Sequence, residues 1–316
     1  MRRLLLAWAL LIAGIVCVGQ ASAFWQSRDS NYNVSIAVTP SGYQGPGDIA
    51  SGALAFHNTG RAYNAAYATA QNPLADIVDT TTGLATCTFN VGTNGYVNLT
   101  AVVCPTSAPL VNVVTFCTVT HVGCSITKLY DQTGNGNHLV QATLANMPAL
   151  ALSAQNGLPC AAGTATGSLE TASTIAQSAP FTLTAIAERT GNFTTNQFIT
   201  ANGNTNSLFF ANAANTVRTN SGTAVSLTAA DNAFHALLAV ASATAPLFAV
   251  DSSGNISTSS NGTTSLSSNE FAMNRSTALG LTSGFFCEGG IWPSDQNANY
   301  VALLANMRSA TVGWNF

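Results

Sequence analysis

Charge is what this sequence has least of. Charged residues make up 7% of its 316 positions, against roughly a quarter in an ordinary globular chain, and the few arginines and lysines form no patch or stripe. Nucleic acid, which demands a basic footprint, is therefore excluded as a partner, and no block of like charge suggests a disordered tail. A second long apolar run is also missing. Only residues 4–18 approach the roughly 20 residues of a membrane span, and that run is too short and too near the start to persist as one. Cys-x-x-Cys pairs are lacking and His57, His121, His138 and His235 are scattered, which argues against a zinc-thiolate site. No long linker or strict internal repeat divides the chain.

The first thing present is an export signal. Arg2 and Arg3 precede the apolar run and Ala21-Ser22-Ala23 follows it, so residues 1–23 read as a secretory signal peptide cleaved before Phe24. The mature chain, residues 24–316, is expected to be one domain, secreted into a periplasm or the extracellular space. Loss of Arg2 and Arg3 leaves seven basic residues against twelve acidic ones, a net charge near −5. Ala, Thr, Ser, Asn and Gly dominate what remains. Hydroxyls and amides suit neutral ligands, and carbohydrate is the commonest of these outside the cell.

Seven cysteines become six once Cys17 leaves with the signal peptide, an even number for an oxidising compartment. Cys117 and Cys124 enclose a short loop and are expected to pair. Cys87 with Cys104 comes next, and Cys160 with Cys287 follows by elimination, one connectivity among 15.

The pattern along the mature chain is β almost throughout. Short runs rich in β-branched and aromatic residues (33–38, 96–103, 125–130, 181–188, 234–240, 246–251 and 284–292) alternate with Gly, Asn, Ser and Thr turns. Such a series predicts an all-β sandwich or jelly roll. One short C-terminal helix is expected, with Ser294 as N-cap after Pro293 and with Tyr300, Val301, Leu303, Leu304 and Met307 at helical spacing. A shorter helix is expected around residues 110–117.

The densest polar cluster is YDQTGNGNHL, Tyr130 to Leu139, set between two strand-like runs. Two readings of it stay open. Asp131, Asn135, Gly136, Asn137 and His138 can build a tight turn through side-chain-to-backbone bonds and left-handed conformations. Alternatively, Asp131, Asn135, Asn137 and His138 bind sugar hydroxyls, or the oxygens hold a Ca²⁺ ion; no other metal or cofactor is implied.

Taken in order, GPGDIASG with RAYNAAYA (Gly45 to Ala68), the spaced Cys117 and Cys124, SITKLYDQTGNGNHLVQAT (Ser125 to Thr143) and FFCEGGIWPSDQNANYVALLANM (Phe285 to Met307) resemble the catalytic module of the α-L-arabinofuranosidase B family. They also resemble exported bacterial and prophage proteins of unassigned function. The resemblance implies a concanavalin A-like jelly-roll β-sandwich and, in the enzymes, release of arabinofuranose from plant polysaccharide. It implies a nucleophilic Glu in mid-chain and an acid/base Asp before the last strands. The corresponding segments here are Gln197 to Phe210 and Phe271 to Ser276, which offer Asn202, Asn204 or Asn206 and Asn274 in place of carboxylates. An amide can hydrogen-bond a sugar but can neither attack an anomeric carbon nor exchange a proton near neutral pH.

Retaining hydrolysis needs two carboxyl groups about 5–5.5 Å apart. Glu188 and Glu288 are the pair proposed to supply them if the protein is an enzyme, with Asp131, Asp251 and Glu270 as further acids of the sheet. Of the aromatic residues able to stack on a sugar, Trp25, Tyr63 and Tyr67 are candidates, while Trp292 and Trp314 are expected in the core. Three functions follow: a carbohydrate-recognising sandwich without catalysis, an arabinofuranosidase-like glycoside hydrolase, and a structural or adhesion module of a surface or virion assembly.

Overall fold

Strands with both faces covered read as continuous apolar runs rather than alternating ones, and the centre of this molecule is built from three of them. In the computed structural model Phe181–Arg189 lies between Phe234–Ala241 and Gly284–Trp292, antiparallel to both. On one face Phe181, Leu183, Ala185 and Ala187 join Leu208, Phe210 and Val217 of a separate four-stranded sheet. On the other, Ile186 joins Leu238, Val240 and Trp292 beneath Leu303, Leu304 and Met307 of the C-terminal helix. Trp292 and Trp314 are fully buried.

The structure describes residues 42–104, 112–164, 166–191, 194–202, 206–270 and 283–316, without the side chains of 101–103, 198, 201, 202 and 268–270. Among them, fifteen strands form the main sheet and Gln197–Asn202, Asn206–Phe210, Thr216–Ser221 and Ala224–Thr228 form the second, all antiparallel. This is an all-β jelly-roll sandwich with one short C-terminal helix. Residues 1–23 and the strand expected at 33–38 lie outside the described residues, and no described helix is long and apolar enough to cross a membrane.

All three disulfides pair as expected: Cys87–Cys104, Cys117–Cys124 and Cys160–Cys287. Two extend strand registers. Thr88 faces Val103, so Cys87 meets Cys104; Phe286 faces Ala161, so Cys287 meets Cys160. Two helix expectations need correction. The C-terminal helix is Tyr300–Arg308 with Asn299, not Ser294, at its N-cap. Ser294 instead accepts a bond from Thr182 Oγ1, and Asp295 closes its own turn on Asn297. The helix expected around 110–117 is one turn, Val113–Thr115, that widens into a π-turn over Phe116–Thr120.

Candidate functional site

The Tyr130–Leu139 segment divides into two halves with different tasks. Asp131 is buried, and its carboxylate accepts from Phe56 N, Thr133 N, Thr133 Oγ1 and Asn137 N at 2.8–3.1 Å. Asn135 and Asn137 donate side-chain N–H to the carbonyls of Ala53 and Leu54. Gln132 accepts from Tyr63 N, and Gly134 and Gly136 take φ of 88° and 78°, where glycine costs nothing. This half ties the turn to strand Ala55–Asn58. The Ca²⁺ reading fails at Asp131, since N–H and O–H donors fill its oxygens, and Asp131, Asn135 and Asn137 brace the turn. Among the described residues no group of three or more His, Cys, Asp or Glu side chains is arranged to hold a metal.

The other half faces the sheet surface. Half-buried Tyr130 donates to Asp76 at 3.0 Å and stacks edge-on with His138, ring centroids 5.2 Å apart. His138 Nδ1 accepts from Asp131 N at 3.0 Å. Burial, and then the Lys128 charge, hold His138 below the usual histidine value.

Glu288 and Glu188 do not form the proposed carboxylate pair. Glu288 is fully buried, and its two oxygens accept from Arg61 Nε at 2.7 Å, Arg61 Nη2 at 2.8 Å, Asn58 Nδ2 at 2.7 Å and Trp314 Nε1 at 2.9 Å. Arg61 is equally buried and also bonds Asn306 and the Val312 carbonyl. A carboxylate so enclosed neutralises an arginine and closes the C-terminus onto strand Ala55–Asn58; it is not open to a substrate.

Glu188 is half-buried between its cross-strand partners Phe234 and Phe285, whose rings stack 5.9 Å apart. Burial raises its pKa, and the nearby His235 charge opposes the shift. His235 places Nδ1 at 2.7 Å from Asp251 and Nε2 at 2.7 Å from the Ala230 carbonyl, which favours a ring protonated on both nitrogens. Burial works against that charge, but Asp251 and the Ala230 carbonyl outweigh it and the His235 pKa is raised. Its contribution to stability is therefore complete below the ordinary value of about 6.5 and lost as pH climbs through the raised value. Urea unfolding of the wild type should show this loss as pH rises above about 6.5, and His235→Gln should remove that pH dependence.

The segment where the resemblance implies a nucleophile holds an uncharged cluster. Thr200 faces Leu208, Leu208 faces Thr219, and Asn206 faces Ser221, which sets Thr200, Thr219 and Asn206 on one face of the four-stranded sheet. Asn261 adjoins them, its carbonyl accepting from Ser221 N at 2.7 Å. These four residues are at most 1% exposed. Even so, Thr200 Oγ1, Thr219 Oγ1, Asn206 Oδ1 and both Asn261 amide atoms have no hydrogen-bond partner among the described residues. The Asn202 side chain, Asn204 and Asn274 lie outside the described residues. Of the sequence candidates, the structure brings Asn206 into this cluster; Thr200, Thr219 and Asn261 were missed, because threonine in a strand carries no mark of a buried, unbonded hydroxyl.

A jelly-roll sandwich with disulfide-locked strands and an uncharged polar cluster is the class these features define. The chain is similar to solved structures of GH54 α-L-arabinofuranosidase. One was soaked with a cyclic sulfate inhibitor (18% identity, TM-score 0.58), one is complexed with arabinofuranosyl-α-1,2-xylobiose (19%, 0.58), and one is a Glu-to-Gln mutant soaked with 4-nitrophenyl α-L-arabinofuranoside (18%, 0.57). Each match covers 83% of this chain and 64% of the enzyme chain. The similarity establishes the fold. No protein-family model and no curated protein matches the sequence.

Proposed function

We propose that this protein is an exported β-sandwich that recognises neutral carbohydrate without hydrolysing it. The observation that carries the reading is the buried cluster of Thr200, Asn206, Thr219 and Asn261, in which two hydroxyls, the Asn206 Oδ1 and both Asn261 amide atoms have no partner among the described residues. Each buried polar atom left unbonded costs about 1–3 kcal/mol, so five in one neighbourhood call for partners that the described residues do not supply, and a sugar that reaches them must enter between the two sheets, since these atoms are closed to solvent. Sugar hydroxyls both donate and accept, and the mix of hydroxyl, amide N–H and amide oxygen answers both. The carboxylates support the same reading. Eight of the ten acids whose side chains are described bond to groups of the chain itself, in turns, caps or ion pairs, which leaves Glu170 and Glu188.

Hydrolysis is the second reading, and one observation favours it. Glu170 and Glu270 are register partners across an antiparallel pair, which brings two acids to one position of the sheet. A glycan array followed by calorimetric titration, run beside an assay of 4-nitrophenol release from the α-L-arabinofuranoside, tests both readings. Saturable binding without turnover is expected. Turnover abolished by Glu170→Gln or Glu188→Gln would establish the enzyme instead.

A further inference from the structure

Lys128 is the only lysine in the chain, and nothing above uses it. Its strand, Cys124–Leu129, pairs on one side so that Lys128 faces Asp76, and on the other so that it faces Val140. Thr88 extends this row beyond Asp76, and Glu170 extends it beyond Val140. Five strands at about 4.8 Å each place the row's ends roughly 19 Å apart. None of the five residues is buried. Tyr130 lies in the middle, its ring 4.1 Å beneath the Lys128 ammonium and its hydroxyl on Asp76.

The hydrogen-bonding capacity of this row is lopsided. Asp76 already accepts from Thr88 Oγ1 at 2.6 Å and from Tyr130. Lys128 Nζ makes no hydrogen bond or ion pair among the described residues; its contact is with the ring. Because His138 Nδ1 accepts from Asp131, Nε2 carries the proton of the neutral ring and has no partner among the described residues. Two open donors therefore flank one tyrosine. Elsewhere among the described residues Arg61 is engaged with Glu288, Arg189 with Asp231 and His235 with Asp251. Ligand oxygens complement open donors, while Asp76 and Glu170 in the same row repel anions.

We propose that this row is a contact surface for a neutral oligosaccharide longer than one sugar, with Lys128 and His138 donating to its hydroxyl and ring oxygens. The surface shares no residue with the Asn206 cluster and rests on the reading of the protein as a carbohydrate binder. The test is titration of the whole mature protein with arabino-oligosaccharides of increasing length and with a polyuronate, for the wild type and for Lys128→Met. Affinity should rise with chain length, and Lys128→Met should weaken the long ligands roughly tenfold, as expected for loss of one charged hydrogen bond, while leaving the shortest unchanged. Lys128 is also the only side-chain amine, so a saturating long oligosaccharide should protect it from acetylation, as read by peptide mass. Affinity independent of length, unchanged in Lys128→Met, or acetylation undiminished by ligand would overturn the inference and leave the binding reading standing. Preference for the polyuronate would overturn it as well. Binding of no glycan at all would overturn both.

Discussion

Glu288→Gln is expected to destabilise the fold by about 3–5 kcal/mol, the usual cost of removing one partner of a buried ion pair. The substitution leaves Arg61 enclosed and charged, with Nε and Nη2 facing an amide that offers one acceptor oxygen where the carboxylate offered two. Asn58 and Trp314 lose strength in their bonds to the same group. Since domains hold only about 5–15 kcal/mol in total, the loss should show as a large fall in the urea midpoint and in the yield of folded protein. Glu188→Gln should behave oppositely. Its carboxyl is half-buried and its pKa already raised, so the neutral amide removes a disfavoured charge and stability should hold or rise slightly. A Glu288→Gln protein as stable as wild type would refute the structural role assigned to this residue.

Thr219→Val, alone and with Thr200→Val, is the second large effect. Valine keeps the branched shape of threonine and removes a hydroxyl that has no partner among the described residues. If ligand supplies the missing bond, sugar affinity should fall about tenfold or more for each hydroxyl. The midpoint of thermal unfolding without ligand should stay level or rise, because an unpaired polar group has been removed. Binding lost while stability is gained marks a site held ready for something outside the chain. A fall in stability would show instead that the hydroxyls serve the fold, through buried water, and would remove the main support for the binding reading.

The elements that local pattern controls were legible in the sequence. Gly284–Trp292 announced itself as an apolar run because both of its faces are covered, and the Tyr300–Met307 stripe appeared because one helix face meets Trp292. Four of the six cysteines find their partners where strand registers bring them level, and Cys117 and Cys124 pair across a short loop. What failed depended on distant partners. Ser294 has the chemistry of an N-cap, but Thr182, on the neighbouring strand and 112 residues earlier in the chain, claims its carbonyl. Glu288 looked like an acid on a strand, and its arginine lies 227 residues earlier in the chain. The Tyr130–Leu139 segment was located correctly, but which of its side chains brace is set by partners at residues 53–63, some 70–80 residues earlier in the chain. Lys128 carried one readable signal, its uniqueness, which the low overall charge obscured.

The most direct test of the central claim is a long time course of 4-nitrophenol release from 4-nitrophenyl α-L-arabinofuranoside by the concentrated mature protein, on the same sample that binds an arabinose-containing oligosaccharide in the calorimeter. The account predicts saturable binding with release no faster than in the protein-free control. Catalytic release that scales with protein concentration and disappears in Glu170→Gln would contradict it.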